Sequence, residues 1–170
     1  MADCHKEREN MKLLVFSDSH SNSYKIKEAI ELHCGRCDAI IFLGDGFRDI
    51  CLVKEQYPHI PFYIVKGNCD FLGCDAQDEL LLSLDGVNLF ITHGHKYGAK
   101  GGYGNLIYRA RELEADAVLF GHTHMPIDDV VQIGEKNIRI FNPGSIGYGG
   151  SFGVINTSGK VLITSHGKLQ

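Results

Sequence analysis

Residues 13–20 have the sequence LLVFSDSH, in which four apolar residues are followed by Ser17, Asp18, Ser19 and His20. The apolar run is long enough for a short buried strand, and the polar side chains begin where that strand would end. In open parallel sheets, ligands bind just beyond the carboxyl ends of the strands. This stretch therefore predicts an α/β fold with potential ligating groups along one edge of its sheet.

The same pattern recurs four times, each time with Asp, Asn or His beside a small residue after an apolar run. Parallel strands place their carboxyl ends at the same edge of a sheet, so we expect all five segments to meet there. Together they predict one site rich in metal-ligating side chains. The later copies are Gly44-Asp45-Gly46, Gly67-Asn68-Cys69-Asp70, His93-Gly94-His95 and Gly121-His122-Thr123-His124.

Extended and helical patterns alternate in the first half of the chain. Short apolar runs at residues 13–16, 39–43 and 62–65 predict strands. The segment between the first two strands repeats apolar residues at helical spacing, and residues 49–57 predict a second helix. Helical crossovers join parallel neighbours, so we expect a β-α-β-α-β order with a parallel sheet.

The second half of the chain is predicted to be richer in strands. Asp85-Gly86 is a turn signal between two apolar runs and predicts a hairpin. A glycine-rich loop at residues 98–104 leads into a helical pattern, and it either offers backbone N–H groups to a phosphate or is simply a flexible loop. From residue 126 onward the pattern predicts strands only.

Composition and charge limit the classes to which the protein can belong. With 170 residues, 44% of them hydrophobic and 22% charged, we expect one domain over residues 11–170 and a mobile extension over residues 1–10. A formal charge of −4 offers no broad basic face for long nucleic acid. No apolar run reaches the length of a membrane helix and the start of the chain is polar, so we expect no membrane partner and a cytoplasmic location.

The chain has six cysteines, which in the cytoplasm we expect to be thiols and not disulfides. Cys34 and Cys37 form a CxxC pair, without a second pair to complete a structural zinc site. We interpret them as ordinary thiols at a helix end, with a redox or metal role as the alternative. Cys69 and Cys74 are likewise expected to be ordinary thiols.

The strand-end side chains have the chemistry of a transition-metal site. Carboxylate, imidazole and amide ligands without thiolate suit manganese, iron, cobalt, nickel or zinc. Seven such residues are too many for one catalytic ion and suit two ions that share a carboxylate, although the same residue types also form turns beside glycine. Two ions about 3.5–4 Å apart can hold a hydroxide and clamp a phosphoryl group, so the predicted reaction is phosphate ester hydrolysis. The seven are Asp18, His20, Asp45, Asn68, His93, His122 and His124.

The ordered series DSH, GD, GNCD, HGH and GHTH resembles the calcineurin-like metallophosphoesterases over roughly residues 11–165. The stretches HGHKYG, GHTHMP and NPGS resemble the small YfcE-type phosphodiesterases of bacteria and archaea within that family. The resemblance implies a four-layer α/β/β/α sandwich with two bound ions. It implies one ion held by Asp18, His20, Asp45 and His124, and another held by Asp45, Asn68, His93 and His122, with Asp45 bridging.

We interpret the chain as a phosphodiesterase that hydrolyses a small, nucleotide-like phosphodiester by in-line attack of a hydroxide held between two ions, manganese being the first expectation. Two divalent ions and two aspartates leave two positive charges, which a hydroxide and a singly charged diester neutralise. A phosphomonoesterase or nucleotide pyrophosphatase on the same site is an alternative. A further alternative is a non-catalytic protein-interaction scaffold, like the retromer subunit that resembles this family. A homo-oligomer is compatible with the sequence.

Cys69 occupies the position at which much of the resembled family has a proton-donating histidine. A thiol beside two cations is a poor acid, because their field favours the thiolate. Either His95 donates the proton, and is then catalytic together with Asp45 and Asn68, or good leaving groups are preferred. The other interpretations of His95 are a hydrogen bond to a ligand or phosphate, and a plain loop residue.

Two pairs of polar residues are candidates for supporting roles at the site. Asn142 and Ser145 either orient a ligand histidine or serve only the turn between them. Asp49 and Asp70 are candidate outer carboxylates, which would alter the charge count of the site.

Overall fold

The computed structural model describes residues 10–33, 35–71 and 73–170. Apart from Asn10, the extension expected over residues 1–10 lies outside the described residues, and so does Cys34 of the CxxC pair. Among the described residues, no helix combines the length and apolar character needed to cross a membrane.

The first half of the chain alternates strands with helices, as its sequence pattern predicts. Strand β1 is Met11–Phe16, β2 is Ala39–Phe42 and β3 is Phe62–Ile64, while helix α1 is Ser23–Leu32 and α2 is Phe47–Gln56. The three strands are parallel neighbours in the order β1-β2-β3. Helix α2 begins before Asp49, whose buried carboxylate accepts hydrogen bonds from Ser19 and Ser21 and does not cap the helix.

The second half adds seven strands, a 3₁₀ turn and two helices among the described residues. Strands β4 and β5 form the predicted hairpin, and Asp85 and Gly86 have the positive φ values, 48° and 76°, that a tight hairpin turn requires. The elements are β4 (Glu79–Leu84), β5 (Val87–Thr92), the 3₁₀ turn (His95–Tyr97), α3 (Gly104–Glu112), β6 (Ala117–Leu119), β7 (Ile127–Ile133), β8 (Lys136–Asn142), α4 (Ile146–Gly149), β9 (Ser151–Ser158) and β10 (Val161–Lys168).

The prediction of strands only after residue 126 is wrong, because α4 interrupts them. A helix of a single turn is too short to produce a helical period in the sequence. Its start is instead determined by Ser145, whose Oγ accepts the Tyr148 N–H at 3.0 Å.

The strands form two five-stranded sheets. The first has the order β10-β9-β1-β2-β3 and the second the order β4-β5-β6-β8-β7. In the second sheet β5, β6 and β8 are parallel, whereas the hairpin partners β4 and β7 run the other way. Each sheet therefore contains three adjacent parallel strands, whose carboxyl ends lie at one edge.

Three apolar clusters separate four layers of structure. Leu13 and Val15 of β1 pack between the two sheets, together with Leu89 and Ile91 of β5. The alternate residues of β1 pack against α1 and α2 on the outer face of the first sheet. Helix α3 covers the outer face of the second sheet. These layers confirm the α/β/β/α sandwich that the resemblance implies.

Candidate metal centre

The loops that follow five parallel strand ends of the two sheets converge on one site. β1 leads to Asp18 and His20, β2 to Asp45, β5 to His93, and β6 to His122 and His124. Asn68 follows the single bridge between Val65 and Gln77 just after β3. The backbone turns sharply at these positions, with φ of 54° at Asp18 and 59° at Asp45, so that side chains directly after the strands point into the site.

One cluster consists of Asp18, His20 and His124, whose potential ligand atoms all lie within 4.8 Å of one another. His124 Nε2 is 3.1 Å from Asp18 Oδ1, and His20 Nε2 is 3.8 Å from the same oxygen. The two imidazole Nε2 atoms are 3.3 Å apart. Three donors therefore converge on a small volume between β1 and β6.

The Asp18 carboxylate has the surroundings expected of a metal ligand. It is fully buried, and Oδ2 accepts hydrogen bonds from Ser17 Oγ at 2.6 Å and from the His122 N–H at 3.0 Å. Oδ1 is buried but has no hydrogen-bond partner among the described residues. Its nearest polar atoms are the potential ligands His124 Nε2 at 3.1 Å and His20 Nε2 at 3.8 Å, and a cation held among them would satisfy the buried charge.

A second cluster consists of Asp45, His93 and His122, again with ligand atoms within 4.8 Å of one another. His93 Nε2 lies 3.4 Å from Asp45 Oδ2 and 3.2 Å from Asn68 Oδ1. His93 Nδ1 lies 2.6 Å from the Leu43 carbonyl oxygen, to which it donates. That hydrogen bond leaves Nε2 as the basic nitrogen, which faces the carboxylate and the amide.

Without a bound ion, Asp45 and His93 stabilise each other's charged forms. Burial opposes charge on both partners, yet the hydrogen bond and charge of His93 outweigh it and hold the pKa of Asp45 well below its usual range. The hydrogen bond to Asp45 and the charges of Asp18 and Asp45 likewise raise the pKa of His93 despite its burial. Burial and the nearby His93 lower the pKa of His122 to about 4, so its ring is neutral and free to ligate.

Asp45 connects the two clusters. In a third group, potential ligand atoms of His20, Asp45 and Cys69 lie within 4.8 Å of one another. The Cys69 N–H donates to Asp45 Oδ1 at 2.7 Å, which orients the carboxylate. Burial and then Asp45 raise the pKa of the Cys69 thiol to about 11, so without bound ions this thiol is protonated at neutral pH.

His95 lies beside the second cluster and outside the three groups of potential ligands. Its ring centroid is 5.3 Å from that of His93 and 6.2 Å from that of His122. Its buried Nδ1 has no hydrogen-bond partner among the described residues. Burial, followed by the charges of His93 and Lys96, lowers the pKa of His95. Its ring is therefore close to the site, neutral, and able to interact with a substrate.

Asp70 supports the site to an extent that sequence reasoning did not foresee. Its carboxylate accepts four backbone N–H groups, from Asp45 at 2.8 Å, Gly46 at 2.9 Å, Phe47 at 2.9 Å and Gly67 at 2.8 Å. These bonds bind the loop after β2 to the loop after β3. The adjacent Gly-Asn motif was the only sequence signal for this role.

Asn142 holds the turn that follows it and also contacts the loop that carries His122 and His124. Its Nδ2 donates to the Gly121 carbonyl at 2.8 Å and to Thr123 Oγ1 at 3.1 Å, which positions the loop carrying His122. Its Oδ1 accepts the Gly144 N–H at 2.9 Å and so also supports the turn. Ser145 Oγ donates to the Asp18 carbonyl at 2.8 Å.

Tyr148 of α4 is a neighbour of the site that the sequence did not reveal. Its ring centroid is 5.1 Å from that of His20 and 5.5 Å from that of His124, although the side chain is 71% exposed.

Burial raises the pKa of the Cys37 thiol to about 11, which favours the ordinary thiol over a reactive one.

Comparison with known proteins agrees with this geometry. Residues 11–160 match the calcineurin-like phosphoesterase superfamily domain. The chain belongs to this superfamily. The calcineurin-like phosphoesterases are metal-dependent, and the clustered Asp and His side chains described above could bind metal.

Relatives of this calcineurin-like phosphoesterase include a bacterial and an archaeal protein. It is 37% identical to the probable metallophosphoesterase YsnB of Bacillus subtilis over 137 residues, which is 80% of this chain and 75% of the relative. It is 26% identical to a phosphodiesterase of Methanocaldococcus jannaschii over 150 residues, which is 79% of this chain and 83% of the relative.

Solved structures share the fold. A Streptococcus pneumoniae protein, described as a predicted phosphoesterase, is similar at a TM-score of 0.74 and 27% identity, over 92% of this chain and 88% of that one. Vacuolar Protein Sorting 29 of Cryptosporidium parvum is similar at a TM-score of 0.73 and 18% identity, over 95% and 92% of the two chains. The second likeness concerns the fold alone.

Proposed function

We propose that this protein is a phosphodiesterase that uses two divalent transition ions, with manganese as the proposed metal. The observation that carries the proposal is that Asp45 has ligand atoms within 4.8 Å both of His93 and His122 in its own cluster and of His20 in the other cluster. The proposed ligands of one ion are Asp18, His20, Asp45 and His124, and those of the other are Asp45, Asn68, His93 and His122.

The residues present fit such ions on chemical grounds. Carboxylate oxygens, imidazole nitrogens and an amide oxygen are ligands for manganese and for iron, cobalt, nickel or zinc. Asp18 Oδ1 is buried without a hydrogen-bond partner among the described residues, and His93 Nε2 faces the Asp45 carboxylate. Both observations support a role as metal ligands.

When bound, two such ions supply a hydroxide nucleophile at neutral pH and stabilise charge on the phosphoryl oxygens, and we propose in-line attack. The chain contributes rigid positioning. Asp45 is held by the Cys69 N–H, and its loop is held by Asp70. The imidazole of His93 is held by the Leu43 carbonyl. Such outer contacts fix the direction of each ligand atom before substrate arrives.

A diester is the proposed substrate because of its charge. The aspartates cancel two of the four positive charges of the ions, and a hydroxide with one diester phosphate cancels the rest. A dianionic monoester would exceed that balance. The similarity to a protein named phosphodiesterase supports the same choice. Monoester and pyrophosphate hydrolysis are the outcomes against which this proposal is tested.

Protonation of the leaving group is assigned in this proposal to the imidazolium form of His95, which the lowered pKa disfavours and the charge of a bound phosphate favours. Its ring lies next to those of His93 and His122, and its Nδ1 is free of protein partners among the described residues. Cys69 is closer to Asp45, but two neighbouring cations would favour its thiolate. If no residue donates the proton, the enzyme should act mainly on diesters with good leaving groups.

One experiment separates an enzyme from a scaffold of the Vacuolar Protein Sorting 29 kind. Purified protein, reconstituted with manganese, is analysed for metal and screened against bis-p-nitrophenyl phosphate, p-nitrophenyl phosphate and nucleoside triphosphates. We expect about two ions per chain and fastest hydrolysis of the diester. Protein that binds no transition metal and hydrolyses none of the three would refute the proposal, and faster monoester or triphosphate hydrolysis would refute the diester preference.

A further inference from the structure

A cavity of about 400 Å³ opens beside the candidate metal centre. Asn68 forms part of its wall, so it adjoins the proposed ligand set directly. Two lysines, Lys66 and Lys96, also line it, together with Asp78 and His95. The cavity thus joins a proposed ligand to two ammonium groups for which the proposed reaction has no use.

The two ammonium groups flank one carboxylate. Lys96 Nζ lies 2.7 Å from Asp78 Oδ2. Lys66 Nζ lies 3.8 Å from Asp78 Oδ1, which is too long for a hydrogen bond. Each ammonium has three N–H donors, so one carboxylate leaves most of them available. The group of three carries a net positive charge of one, and the Asp70 carboxylate, which also lines the cavity, is already held by four backbone N–H groups.

The backbone holds this group in place beside the metal centre. Lys66 precedes Asn68 by two residues, and its N–H donates to the Gln77 carbonyl at 3.0 Å. Lys96 belongs to the 3₁₀ turn after His93. The Tyr97 hydroxyl donates a hydrogen bond to Glu79 and so anchors this turn. Glu79 is itself paired with Arg109 at 2.9 Å.

Two buried polar atoms of the cavity residues also lack partners. Asp78 Oδ1 and His95 Nδ1 are buried and have no hydrogen-bond partner in the described part of the chain. Unsatisfied buried polar atoms are uncommon and call for an occupant that can hydrogen-bond. The free Nδ1 of His95 and the two lysines suit a polar, anionic ligand, whereas Asp78 Oδ1 accepts only from a donor such as the Lys66 ammonium.

We propose that this cavity binds a second phosphate group, carried on one arm of the diester that the metal centre cleaves. The inference rests on the proposed phosphodiesterase function and specifies its substrate class, namely phosphodiesters that also bear a phosphomonoester. A phosphate dianion matches two ammonium groups better than a carboxylate does, because it offers three acceptor oxygens and a second charge. Asp78 keeps the two ammonium groups apart and competes with the phosphate for them.

The test compares two substrates with the same scissile bond and the same leaving group. One is thymidine 5′-(p-nitrophenyl phosphate), and the other is the same molecule with a 3′-phosphate. Release of p-nitrophenol is measured with manganese-loaded enzyme. We expect the added phosphate to raise kcat/KM about tenfold, mainly through KM.

Two variants with opposite expected effects on this kcat/KM ratio test whether the cavity binds the added phosphate. In the Lys66→Gln/Lys96→Gln double variant the ratio of the two kcat/KM values should fall to about one. In Asp78→Asn the ratio should rise, because the competing charge is lost while the side-chain shape is kept. Arg48→Gln is the matched control and should keep the wild-type ratio, because Arg48 lines a separate neighbouring cavity of about 370 Å³ and not the one that contains Lys66 and Lys96.

The possible outcomes separate this inference from the function on which it rests. If wild-type enzyme hydrolyses both substrates equally well, the phosphate cavity is refuted and the phosphodiesterase proposal stands. If it hydrolyses neither substrate nor bis-p-nitrophenyl phosphate, the phosphodiesterase proposal itself fails. A ratio that falls in Arg48→Gln and persists in the lysine double variant also overturns the assignment.

Discussion

His93 donates from Nδ1 to the carbonyl oxygen of Leu43 across 2.6 Å, and the two residues follow strands of different sheets. Leu43 comes after β2 in the first sheet, and His93 after β5 in the second. The bond fixes the tautomer and the direction of the imidazole. It also makes the proposed ligand set depend on how the two sheets pack.

The first prediction concerns Asp45, which lies between the two clusters. Asp45→Asn removes a charge and a bridging oxygen, so we expect manganese-dependent hydrolysis of bis-p-nitrophenyl phosphate to fall about 100- to 1,000-fold. Metal analysis should show fewer ions per chain. Circular dichroism and thermal melting serve as controls for folding. Retention of both ions and of activity would contradict the bridging role.

The second prediction concerns Asp70, whose carboxylate accepts four backbone N–H groups. In Asp70→Asn one oxygen is replaced by a donor that faces N–H groups. We expect a loss of about 2–3 kcal/mol in the free energy of unfolding, and a 10- to about 100-fold weaker affinity for manganese. Urea denaturation and metal titration measure the two effects. Asp75→Asn, which removes the same charge at an exposed position nearby, should be near neutral.

The third prediction concerns pH and Glu79. Burial alone would raise the pKa of Glu79, but hydrogen bonds from Tyr97 and Arg109 and the charge of Arg109 outweigh it and lower the pKa below 4.5. The folded state therefore favours the carboxylate. Its stabilising effect is present above pH 4.5 and is lost as pH falls through the folded-state pKa.

Urea unfolding of wild type and Glu79→Gln, followed from about pH 7 to about pH 3, tests this linkage. The wild type should be more stable at neutral pH, and the difference should shrink in acid. Glu135→Gln, at an exposed turn, should show no such trend. A difference that stays constant with pH would mean that Glu79 acts through packing and not through its charge.

The fourth prediction concerns His95 as the proton donor. His95→Gln should reduce hydrolysis of diesters with alkyl leaving groups about 100-fold or more, and hydrolysis of p-nitrophenyl diesters only slightly. The reason is that p-nitrophenolate leaves without a proton, whereas an alkoxide requires one. Plots of log kcat/KM against leaving-group pKa for the two proteins provide the measurement. Equal losses with both kinds of leaving group would remove the assignment.

The fifth prediction concerns Gly67, which lies against the Asp45 side chain. A Cβ at this position would be 2.1 Å from Asp45 Oδ1 and 2.5 Å from its backbone N. Gly67→Ala should therefore displace Asp45 and abolish tight manganese binding in isothermal titration. Gly104→Ala is the control, because a Cβ there has no neighbour within 4 Å, and it should stabilise α3 by up to about 1 kcal/mol.

Much of the candidate site could be predicted because its signals are local. An apolar run followed by Asp18 or His122 shows both a strand end and a ligand, within a few residues. The pairing of strands into two sheets is not local, and alternation in β1 does not say which face meets a helix. The four layers therefore came only from the resemblance to a family.

Contacts between distant segments escaped prediction for the same reason. Asp70 accepts hydrogen bonds from the backbone of Asp45, Gly46 and Phe47, more than twenty residues earlier. No residue type in that loop predicts these hydrogen bonds. Helix α4 is a single turn and has no periodicity to detect. The grouping of Lys66 and Lys96 around Asp78 likewise depends on three separate loops meeting.

The positive φ angles described for the site restrict which residues relatives can carry there. Asp18, His20, Asp45, His122 and His124 all have left-handed backbone, which Gly, Asn, Asp and His tolerate better than other residues. A protein that had lost its metal could thus keep these types for conformational reasons. Asn68 and His93 fall outside this positive-φ group of described residues. In a family comparison, those two positions therefore discriminate hydrolases from inactive relatives best.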